Sequence, residues 1–352
     1  MKIVIILGTR PEIVKLSSII RECEDLGLDY FIIHTNQHYS PELDSIFFKD
    51  LDLPKPKYNL NIGSGTQGEQ IGRMFVGLEK IFKKEMPDLS IVQGDTNSVF
   101  AGAFISSRFG IKIAHVEAGL RSYDNEMPEE INRILTDHIS NYFFCPAERQ
   151  KATLLEEGIS KKNILVVGNT VVDAVFWARN HSSDIIRKLN LVDKGYCLLT
   201  LHRSENVDSE DRLKYLLGQI GSLTDENIIF PIHPRTKKMI GFFGLIIPGN
   251  VQCIEPIGFL DMVTLEKHSK LILTDSGGVQ EEACVLGIPS ITLRTTTERP
   301  EVIDVGANIL MSGNLLHDFN NMVNIRHGWE NPFGDGTSGK SIIKNLVGIN
   351  NE

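Results

Sequence analysis

The sequence predicts an α/β protein built from two successive open, mostly parallel sheets. Short apolar runs alternate with amphipathic helical patterns along most of the 352 residues, and such alternation is typical of βαβ units. The chain is too long for one ordinary hydrophobic core, and the alternation stops in a polar stretch at residues 180–195 before it starts again. We therefore predict two Rossmann-like halves that face each other across a cleft.

The first half carries several apolar runs of strand length. They lie at residues 2–7, 30–34, 89–92, 111–116, 142–145 and 164–167. Helical patterns separate them, and the clearest begin at Ile13, Gln67, Val99, Pro128 and Ala147. The crossovers between parallel strands are expected to be right-handed. We assign residues 1–178 to the first domain.

The second half repeats the alternation. Strands are predicted at residues 196–201, 228–232, 251–254, 271–273 and 290–293, with helices at 213–223, 259–268 and 277–286. A cluster of turn residues at 331–336 then precedes a last helical pattern at 339–346. We assign residues 179–336 to the second domain.

The bulk composition is that of a soluble globular protein, with 41% hydrophobic and 23% charged residues. A net charge of −9 argues against nucleic acid or an anionic membrane as a partner, because both require a basic face. Five scattered cysteines without a C-x-x-C pair favour reduced thiols in a cytoplasmic protein. The apolar N-terminus is too short for a signal peptide, and no apolar stretch reaches the ~18 residues that a membrane span needs.

Three carboxylates come at the ends of consecutive predicted elements. Asp95 and Glu117 each follow a buried strand, and Glu129 lies in the first turn of a helix that Pro128 begins. One stripe of that helix carries Ile131, Ile134, Leu135 and His138. Because open α/β sheets bind ligands outside the carboxyl ends of their strands, the three acids form a candidate site.

The turn after the first strand contains candidate anion-binding residues. Arg10 lies beside the start of a helix, and Lys15 lies one turn further along it. The positive end of the helix dipole would help both side chains to meet an anion. A solvated surface pair explains this stretch equally well. Gly8 alone makes no G-x-G-x-x-G fingerprint for a dinucleotide.

Two histidines follow neighbouring strands of the second half. His202 ends the strand at 196–201, beside Arg203, and His233 follows the strand at 228–232. A histidine in such a place is often only a packed or surface residue. The polar side chains around His202 favour a functional role.

The strongest phosphate signal is the helix start after residues 271–273. Ser276 is a suitable N-cap, and Gly277 and Gly278 allow backbone N–H groups to approach an anion closely. One turn inside the helix, Glu282 can accept hydrogen bonds from the paired hydroxyls of a ribose. Arg299 supplies a further cation for a diphosphate. This pattern predicts a nucleotide or nucleotide-sugar site, although a purely structural N-cap remains the alternative.

Taken together, the motifs resemble those of the non-hydrolysing UDP-N-acetylglucosamine (UDP-GlcNAc) 2-epimerases, and their residues are similar to those of archaeal members. The matching motifs are Gly-Thr-Arg-Pro-Glu (8–12), Gly-Asp-Thr (94–96), His-Val-Glu-Ala-Gly-Leu-Arg (115–121), Pro-Glu-Glu-Ile-Asn-Arg (128–133), Gly-Asn-Thr-Val-Val-Asp (168–173), Leu-His-Arg (201–203), Asp-Ser-Gly-Gly-Val-Gln-Glu-Glu (275–282), Thr-Glu-Arg-Pro-Glu (297–301) and Asn-Pro-Phe-Gly-Asp-Gly (331–336). The resemblance implies a glycosyltransferase-B-like fold, a homodimer, and UDP held mainly by the C-terminal domain. It also implies that the last helix, from about residue 337 to 352, packs back on the N-terminal domain.

The resemblance implies epimerisation at C2 of UDP-GlcNAc, by elimination of UDP to 2-acetamidoglucal and re-addition, without a cofactor or metal. By resemblance, the acid/base carboxylates are Asp95, Glu117 and Glu129, with His202 near the diphosphate. Substrate-binding residues would be Arg10, Lys15, His233, Ser276, Gly277, Gly278, Glu282 and Arg299.

Two departures from the bacterial pattern concern regulation by a second substrate molecule. The chain has His-Pro-Arg-Thr at 233–236 and Gln-His-Tyr-Ser at 37–40, where many bacterial relatives have His-Leu-Asn-Pro and Gln-His-Arg-Gln. Activation by substrate is therefore left open.

Several related functions remain open from the sequence. The nearest is a UDP-2,3-diacetamido-glucuronate 2-epimerase, whose members tend to show Gly-Ala-Arg-Pro-Gln and Thr-Glu-Trp in place of the motifs at 8–12 and 297–299. Hydrolysing 2-epimerases typically depart from Arg-Pro-Glu after the first strand. A UDP-sugar glycosyltransferase would leave Glu117 and Glu129 with little to do, and a nucleotide-sugar sensor would not need the carboxylates.

Overall fold

A computed structural model of the chain describes residues 1–36, 41–181, 183–325 and 328–348. It divides into two compact units. Unit 1 comprises Met1–Ala174 and Phe333–Glu352, and unit 2 comprises Val175–Pro332. The departure from the bacterial pattern at residues 37–40 lies outside the described residues. None of the described helices has the length and hydropathy needed to cross a membrane.

Unit 1 is organised around a parallel sheet. Its described strands are β1 (Ile3–Leu7), β2 (Tyr30–His34), β3 (Tyr58–Asn59), β4 (Leu89–Gln93), β5 (Lys112–Val116), β6 (Tyr142–Cys145) and β7 (Ile164–Val166). Their spatial order is β3-β2-β1-β4-β5-β6-β7, and all neighbours run parallel. The order reverses between β1 and β4, which makes the carboxyl ends of these two strands the expected place for a ligand.

The helices of unit 1 cover its sheet. They are α1 (Arg10–Asp25), α2 (Pro41–Asp50), α3 (Gln67–Glu85), α4 (Asn97–Arg108), α5 (Pro128–Ile139), α6 (Glu148–Glu156) and α7 (Thr170–Arg179), the last of which crosses the boundary between the units. Local sequence explains several starts. Thr66 forms a capping box with Glu69 before α3, and proline occupies the first turn of α1 and of α5.

Unit 2 repeats the design on a smaller sheet. Its described strands are β8 (Cys197–Thr200), β9 (Ile228–Pro231), β10 (Val251–Ile254), β11 (Leu271–Thr274), β12 (Ser290–Thr292) and β13 (Asn308–Leu310), in the parallel order β10-β9-β8-β11-β12-β13. The helices are α8 (Ile185–Lys188), α9 (Ser204–Val207), α10 (Glu210–Gly221), α11 (Pro234–Phe243), α12 (Phe259–His268), α13 (Gly277–Leu286), α14 (Pro300–Asp304) and α15 (Leu315–Met322). The order reverses between β8 and β11, so the loops that carry His202 and Ser276 flank this point.

The last helix, α16 (Ser338–Gly348), belongs to unit 1 and packs against α1. The Asp173 carboxylate accepts hydrogen bonds from the backbone N–H groups of Ser338 (3.3 Å) and Gly339 (2.9 Å). A Cβ atom at Gly339 would lie 2.5 Å from Ser18 Oγ and 2.9 Å from the Ser18 carbonyl carbon. Glycine therefore allows the two helices to approach at this point.

The predicted fold class, two α/β halves with parallel sheets, is confirmed. The sequence did not predict β13 or the helices α8, α9, α11, α14 and α15. The three residues of β13 include the buried polar residue Asn308, so the segment lacks an apolar run. The first turn of α11 is Pro-Arg-Thr, which reads as a continuation of the loop after β9.

Helix α5 buries its polar face and exposes its apolar stripe. Ile131 is 47% exposed and Leu135 is 42% exposed, whereas Arg133 and Asp137 are buried. An amphipathic surface helix normally does the reverse. Here the polar side chains make hydrogen bonds and ion pairs at the carboxyl edge of the sheet, and these interactions orient the helix.

Candidate active site

The loops after β4 and β5 have backbone conformations that hold two acids at the sheet edge. Gly94, which precedes Asp95, has φ +85°, and Glu117 itself has φ +69°. A left-handed conformation is uncommon for a residue with a side chain and is found preferentially at functional sites. The Glu117 backbone N–H donates to the Phe144 carbonyl (3.0 Å), which anchors the conformation to the neighbouring strand.

Glu117 forms a buried ion pair with Lys15. Lys15 Nζ lies 2.7 Å from Glu117 Oε1 and 2.9 Å from Oε2, and the two residues are only 8% and 9% exposed. Gln93 donates a further hydrogen bond to Glu117 Oε2. Lys15, predicted to bind an anion of the substrate, thus contacts a candidate acid/base residue directly.

Asp95 is joined to α5 through Arg133. Arg133 Nη2 pairs with Asp95 Oδ2, and Arg133 Nη1 lies 2.6 Å from Glu130 Oε2. Burial raises the pKa of Glu130, but the backbone N–H groups of Ser122 and Tyr123 outweigh it and hold the pKa below its usual range. A buried glutamate therefore fixes the arginine that meets Asp95, whose side chain stays 30% exposed.

Glu129 lies in the first turn of α5, as predicted, and is half-buried. Among the described residues, its carboxylate has no hydrogen-bond or ion-pair partner. The structure thus links Asp95 and Glu117 to fixed cations and leaves Glu129 outside that network. Sequence reasoning singled out Glu129, and it missed the role of its neighbour Glu130.

Glu12 connects the loops after β1 and β4, and the sequence analysis did not assign it. Its carboxylate accepts hydrogen bonds from the Gly8 N–H (3.0 Å), Thr9 Oγ1 (2.7 Å) and Thr96 Oγ1 (2.9 Å). Burial raises the pKa of Glu12 from 4.5 to about 7, and these hydrogen bonds limit the increase. The signal was available, because Glu12 ends the motif at residues 8–12.

A second buried network supports the loop that carries Asp95. His115 Nε2 lies 2.8 Å from the Gly94 carbonyl oxygen, and Nδ1 lies 2.7 Å from Asp137 Oδ1. Asp137 also meets Arg121 (2.7 Å). Burial raises the pKa of Asp137, but His115 and Arg121 outweigh it and lower the pKa overall. Both ring nitrogens of His115 face acceptors, so the side chain holds the Gly94 carbonyl in place.

In unit 2, Asp275 orients His202. His202 Nδ1 lies 3.0 Å from Asp275 Oδ1, and the backbone N–H groups of His202 and Arg203 also donate to this carboxylate (2.9–3.1 Å). Burial raises the pKa of Asp275, whereas His202 lowers it, and the net shift is downward. The Nδ1–H bond leaves Nε2 of His202 for a ligand.

His233 is the N-cap of α11, and its ring centroid lies 5.6 Å from that of His202. Nδ1 accepts a hydrogen bond from the Arg235 backbone N–H (3.2 Å). This contact gives His233 a local structural role.

The start of α13 differs in one respect from the prediction. Ser276 occupies the N-cap position, but its side chain makes no capping hydrogen bond. The N–H groups of the first turn, at Gly277 and Gly278, are therefore not capped by serine. Uncapped N–H groups at a helix start can bind an anion, so this arrangement favours an anion site over a purely structural cap.

Arg299 is tied to the body of unit 2. Its Nε lies 2.6 Å from Glu281 Oε1, and Thr297 Oγ1 accepts a hydrogen bond from its backbone N–H (3.1 Å). Nearby, Glu298 pairs with Arg203 (3.2 Å) and with Arg294 (2.7 Å). The arginines of this loop are thus held by carboxylates that the sequence analysis did not assign.

Fold and side chains together define the class of protein. At the switch point of unit 1, where the strand order reverses between β1 and β4, acids lie beside fixed cations, which suits proton transfer. At the switch point of unit 2, between β8 and β11, a histidine and glycine amides suit a phosphate. These are features of an α/β enzyme that acts on a nucleotide-linked substrate.

Comparison with known proteins specifies the family. A family model described as UDP-N-acetylglucosamine 2-epimerase matches residues 21–347. The UDP-N-acetylglucosamine 2-epimerase of Methanocaldococcus jannaschii is 54% identical, with 99% of each chain covered. The crystal structure of the UDP-GlcNAc 2-epimerase of this organism, in complex with UDP-GlcNAc and UDP, has a TM-score of 0.91 and also covers 99% of both chains. A UDP-2,3-diacetamido-2,3-dideoxy-D-glucuronate 2-epimerase of Pseudomonas aeruginosa is 42% identical over 88% of each chain.

The chain belongs to the UDP-N-acetylglucosamine 2-epimerase family. The resemblance predicted from the motifs, including the likeness to archaeal members, is confirmed.

Proposed function

We propose that the protein is a non-hydrolysing UDP-GlcNAc 2-epimerase, which interconverts UDP-GlcNAc and UDP-N-acetylmannosamine (UDP-ManNAc). The observation that carries this proposal is the 54% identity, across 99% of the chain, to a UDP-N-acetylglucosamine 2-epimerase. The acids at the carboxyl edge of the unit 1 sheet support it, because inversion at C2 requires proton transfer at carbon.

The proposed reaction proceeds by elimination and re-addition. A base removes the C2 proton while the C1–O bond breaks and its electron pair leaves with UDP, which gives 2-acetamidoglucal. UDP then adds back at C1, and an acid delivers a proton to the opposite face of C2. Loss of UDP makes removal of the C2 proton feasible, so the enzyme needs acid/base groups near C2 and charge stabilisation at the diphosphate.

Asp95, Glu117 and Glu129 are the proposed acid/base residues. The ion pairs of Glu117 with Lys15 and of Asp95 with Arg133 support this assignment, since each gives an acid a fixed position beside a cation. Among the described residues, Glu129 has no such partner.

The proposed UDP site uses the switch point of unit 2. The N–H groups of Gly277 and Gly278 and the side chain of Ser276 would hold the diphosphate, because the Ser276 N–H donates to Thr274 Oγ1 (2.9 Å). His202 Nε2 would lie at the leaving oxygen and Glu282 on the ribose. Residues assigned to substrate binding through the resemblance are Arg10, Lys15, His233 and Arg299. The 2.6 Å pair with Glu281 gives Arg299 a fixed position. In this proposal the main role of Lys15 is its ion pair with Glu117.

The proposal includes a homodimer in the cytoplasm. Exposed apolar side chains on neighbouring helices of unit 1 support self-association: Val76 on α3, Phe104 on α4, and Ile131 and Leu135 on α5. Light scattering of wild type against Ile131→Glu tests this part, and a monomeric wild type would refute it. Five free cysteines suit a reducing compartment.

Proton NMR of the purified protein with UDP-GlcNAc in D2O, without added metal, tests the activity. We expect UDP-ManNAc to appear, with deuterium entering C2 of the sugar. Release of UDP and free N-acetylmannosamine would instead indicate a hydrolysing enzyme. The Glu117→Gln variant is the matched control, because it should bind UDP and exchange no deuterium.

The second candidate is the same chemistry on UDP-2,3-diacetamido-glucuronate. The 42% identity to an enzyme of that name favours it. A competition experiment with both UDP-sugars separates the two candidates, since the true substrate should show the higher kcat/KM. Turnover of the diacetamido-glucuronate alone would replace the first proposal.

A further inference from the structure

Helix α12 buries a glutamate in the interior of unit 2. Glu266 is 0% exposed, and neither of its carboxyl oxygens meets an N–H or O–H donor among the described residues. The nearby donors serve other acceptors. Tyr196 Oη donates to the Leu265 carbonyl (2.6 Å), and Ser269 Oγ donates to the backbone carbonyl of Glu266 (2.8 Å). A buried carboxylate without a donor is strongly unfavourable.

The partner of Glu266 is another carboxyl group. Helix α12 packs against α13, and burial together with the charge and hydrogen bond of Glu282 raises the pKa of Glu266 well above its usual range. Two carboxylates cannot hydrogen-bond to each other, because both are acceptors. A single proton resolves the conflict: neutral Glu266 donates to ionised Glu282.

Glu282 links this pair to the proposed nucleotide site. It lies four residues after Gly278 on α13, and residues at this spacing share a face of a helix. Both residues are partly exposed, whereas Glu266 is fully buried. A carboxylate has about four lone-pair sites, so a bond from Glu266 fixes its orientation and leaves acceptors for the ligand.

We propose that Glu266 is a positioning residue for ribose recognition: its carboxyl proton is donated to Glu282 and holds that carboxylate ready for the 2′- and 3′-hydroxyls of UDP. This inference rests on the proposed UDP site. It adds a residue that neither touches the ligand nor belongs to the motifs of the sequence.

Titration calorimetry with UDP and 2′,3′-dideoxy-UDP tests the inference. Glu266→Met keeps side-chain volume and removes the donor, so we expect UDP to bind about tenfold more weakly, the usual loss for a hydrogen bond to a charged group. The affinity for dideoxy-UDP should stay within about twofold of wild type, because this ligand has no ribose hydroxyls to recognise. Glu266→Gln retains a donor and should restore UDP binding.

Lys267→Met, on the exposed side of the same helix, is the matched control and should change neither affinity. Equal weakening for both ligands in Glu266→Met would show a general structural effect and overturn the inference. Unchanged UDP affinity in that variant would overturn it as well. Wild-type protein that binds no UDP would instead refute the proposed function.

Infrared difference spectroscopy gives a second readout if Glu266→Met does not fold. Wild-type protein should show a protonated-carboxyl band that shifts when UDP binds and does not shift with dideoxy-UDP. Glu266→Gln should lack this band. Glu12, with a pKa of about 7, contributes a band of its own that UDP should not shift. A UDP-sensitive band that persists in Glu266→Gln, or the lack of any UDP-sensitive band in wild type, would refute the shared proton.

Discussion

The ion pair between Lys15 and Glu117 allows stability and chemistry to be separated by mutation. Glu117→Gln removes the negative charge and leaves the Lys15 ammonium in a site where the lysine residue is only 8% exposed. Breaking a buried pair by removing one partner typically costs about 3–5 kcal/mol. The amide oxygen can still accept one hydrogen bond from Lys15, so we expect about 3 kcal/mol, or roughly 6–12 °C in Tm.

Asp95→Asn provides the matched comparison. The Asp95 side chain is 30% exposed, against 7% for Glu117, and its partner Arg133 keeps the second ion pair with Glu130. We therefore expect a stability loss of at most about 1 kcal/mol for Asp95→Asn. Both variants should lose at least ~100-fold in turnover, a usual acid/base contribution, while UDP affinity stays close to wild type.

The assays are thermal unfolding, UDP titration and turnover of UDP-GlcNAc. The double variant Lys15→Met/Glu117→Gln should recover most of the lost stability, because no unpaired charge remains, and should stay inactive. Near-normal turnover in both single variants would refute the assignment of the carboxylates. A double variant as unstable as Glu117→Gln would refute the argument from the buried charge.

Three further predictions concern other parts of the chain. Folding raises the pKa of Glu12 from 4.5 to about 7, so protonated Glu12 stabilises the folded state at low pH. This contribution of about 3 kcal/mol is lost as pH rises from about 4.5 through about 7. Glu12→Gln should remove that part of the pH dependence in denaturant titrations, and identical pH dependence of the unfolding free energy in wild type and variant would contradict the prediction. Asp275→Asn removes the negative charge and one of the two acceptor oxygens that fix the His202 tautomer, and should lower kcat by about 10–100-fold with a smaller change in KM, whereas an effect on KM alone would argue against this role. Gly339→Ala should lower the free energy of unfolding by about 1–3 kcal/mol, since its Cβ would lie 2.5 Å from Ser18 Oγ; unchanged chemical denaturation would show that α16 can shift.

The sequence located much of the candidate site but not its connections. Asp95 and Glu117 were found because each follows an apolar run at the carboxyl edge of a parallel sheet. Their partners Lys15 and Arg133 lie 102 and 38 residues away in sequence, and periodicity carries no information on such contacts. The catalytic and binding roles of all these residues stay predictions.

Helix α5 shows a different limit of sequence reasoning. An apolar stripe normally predicts the buried face, yet Ile131 and Leu135 face outward. The buried face instead carries Arg133 and Asp137, which pair with residues of other elements.

The sequence by itself determined the fold class, the order of most strands and helices, and the family, because apolar periodicity, turn residues and contiguous motifs are local properties of the chain. Only the tertiary structure decided that Glu117 has a left-handed backbone paired with Lys15, that Asp275 orients His202, and that Glu266 meets Glu282. Charge neutralisation and hydrogen bonding act between side chains that the folded sheets bring together, at separations in sequence that no local pattern records.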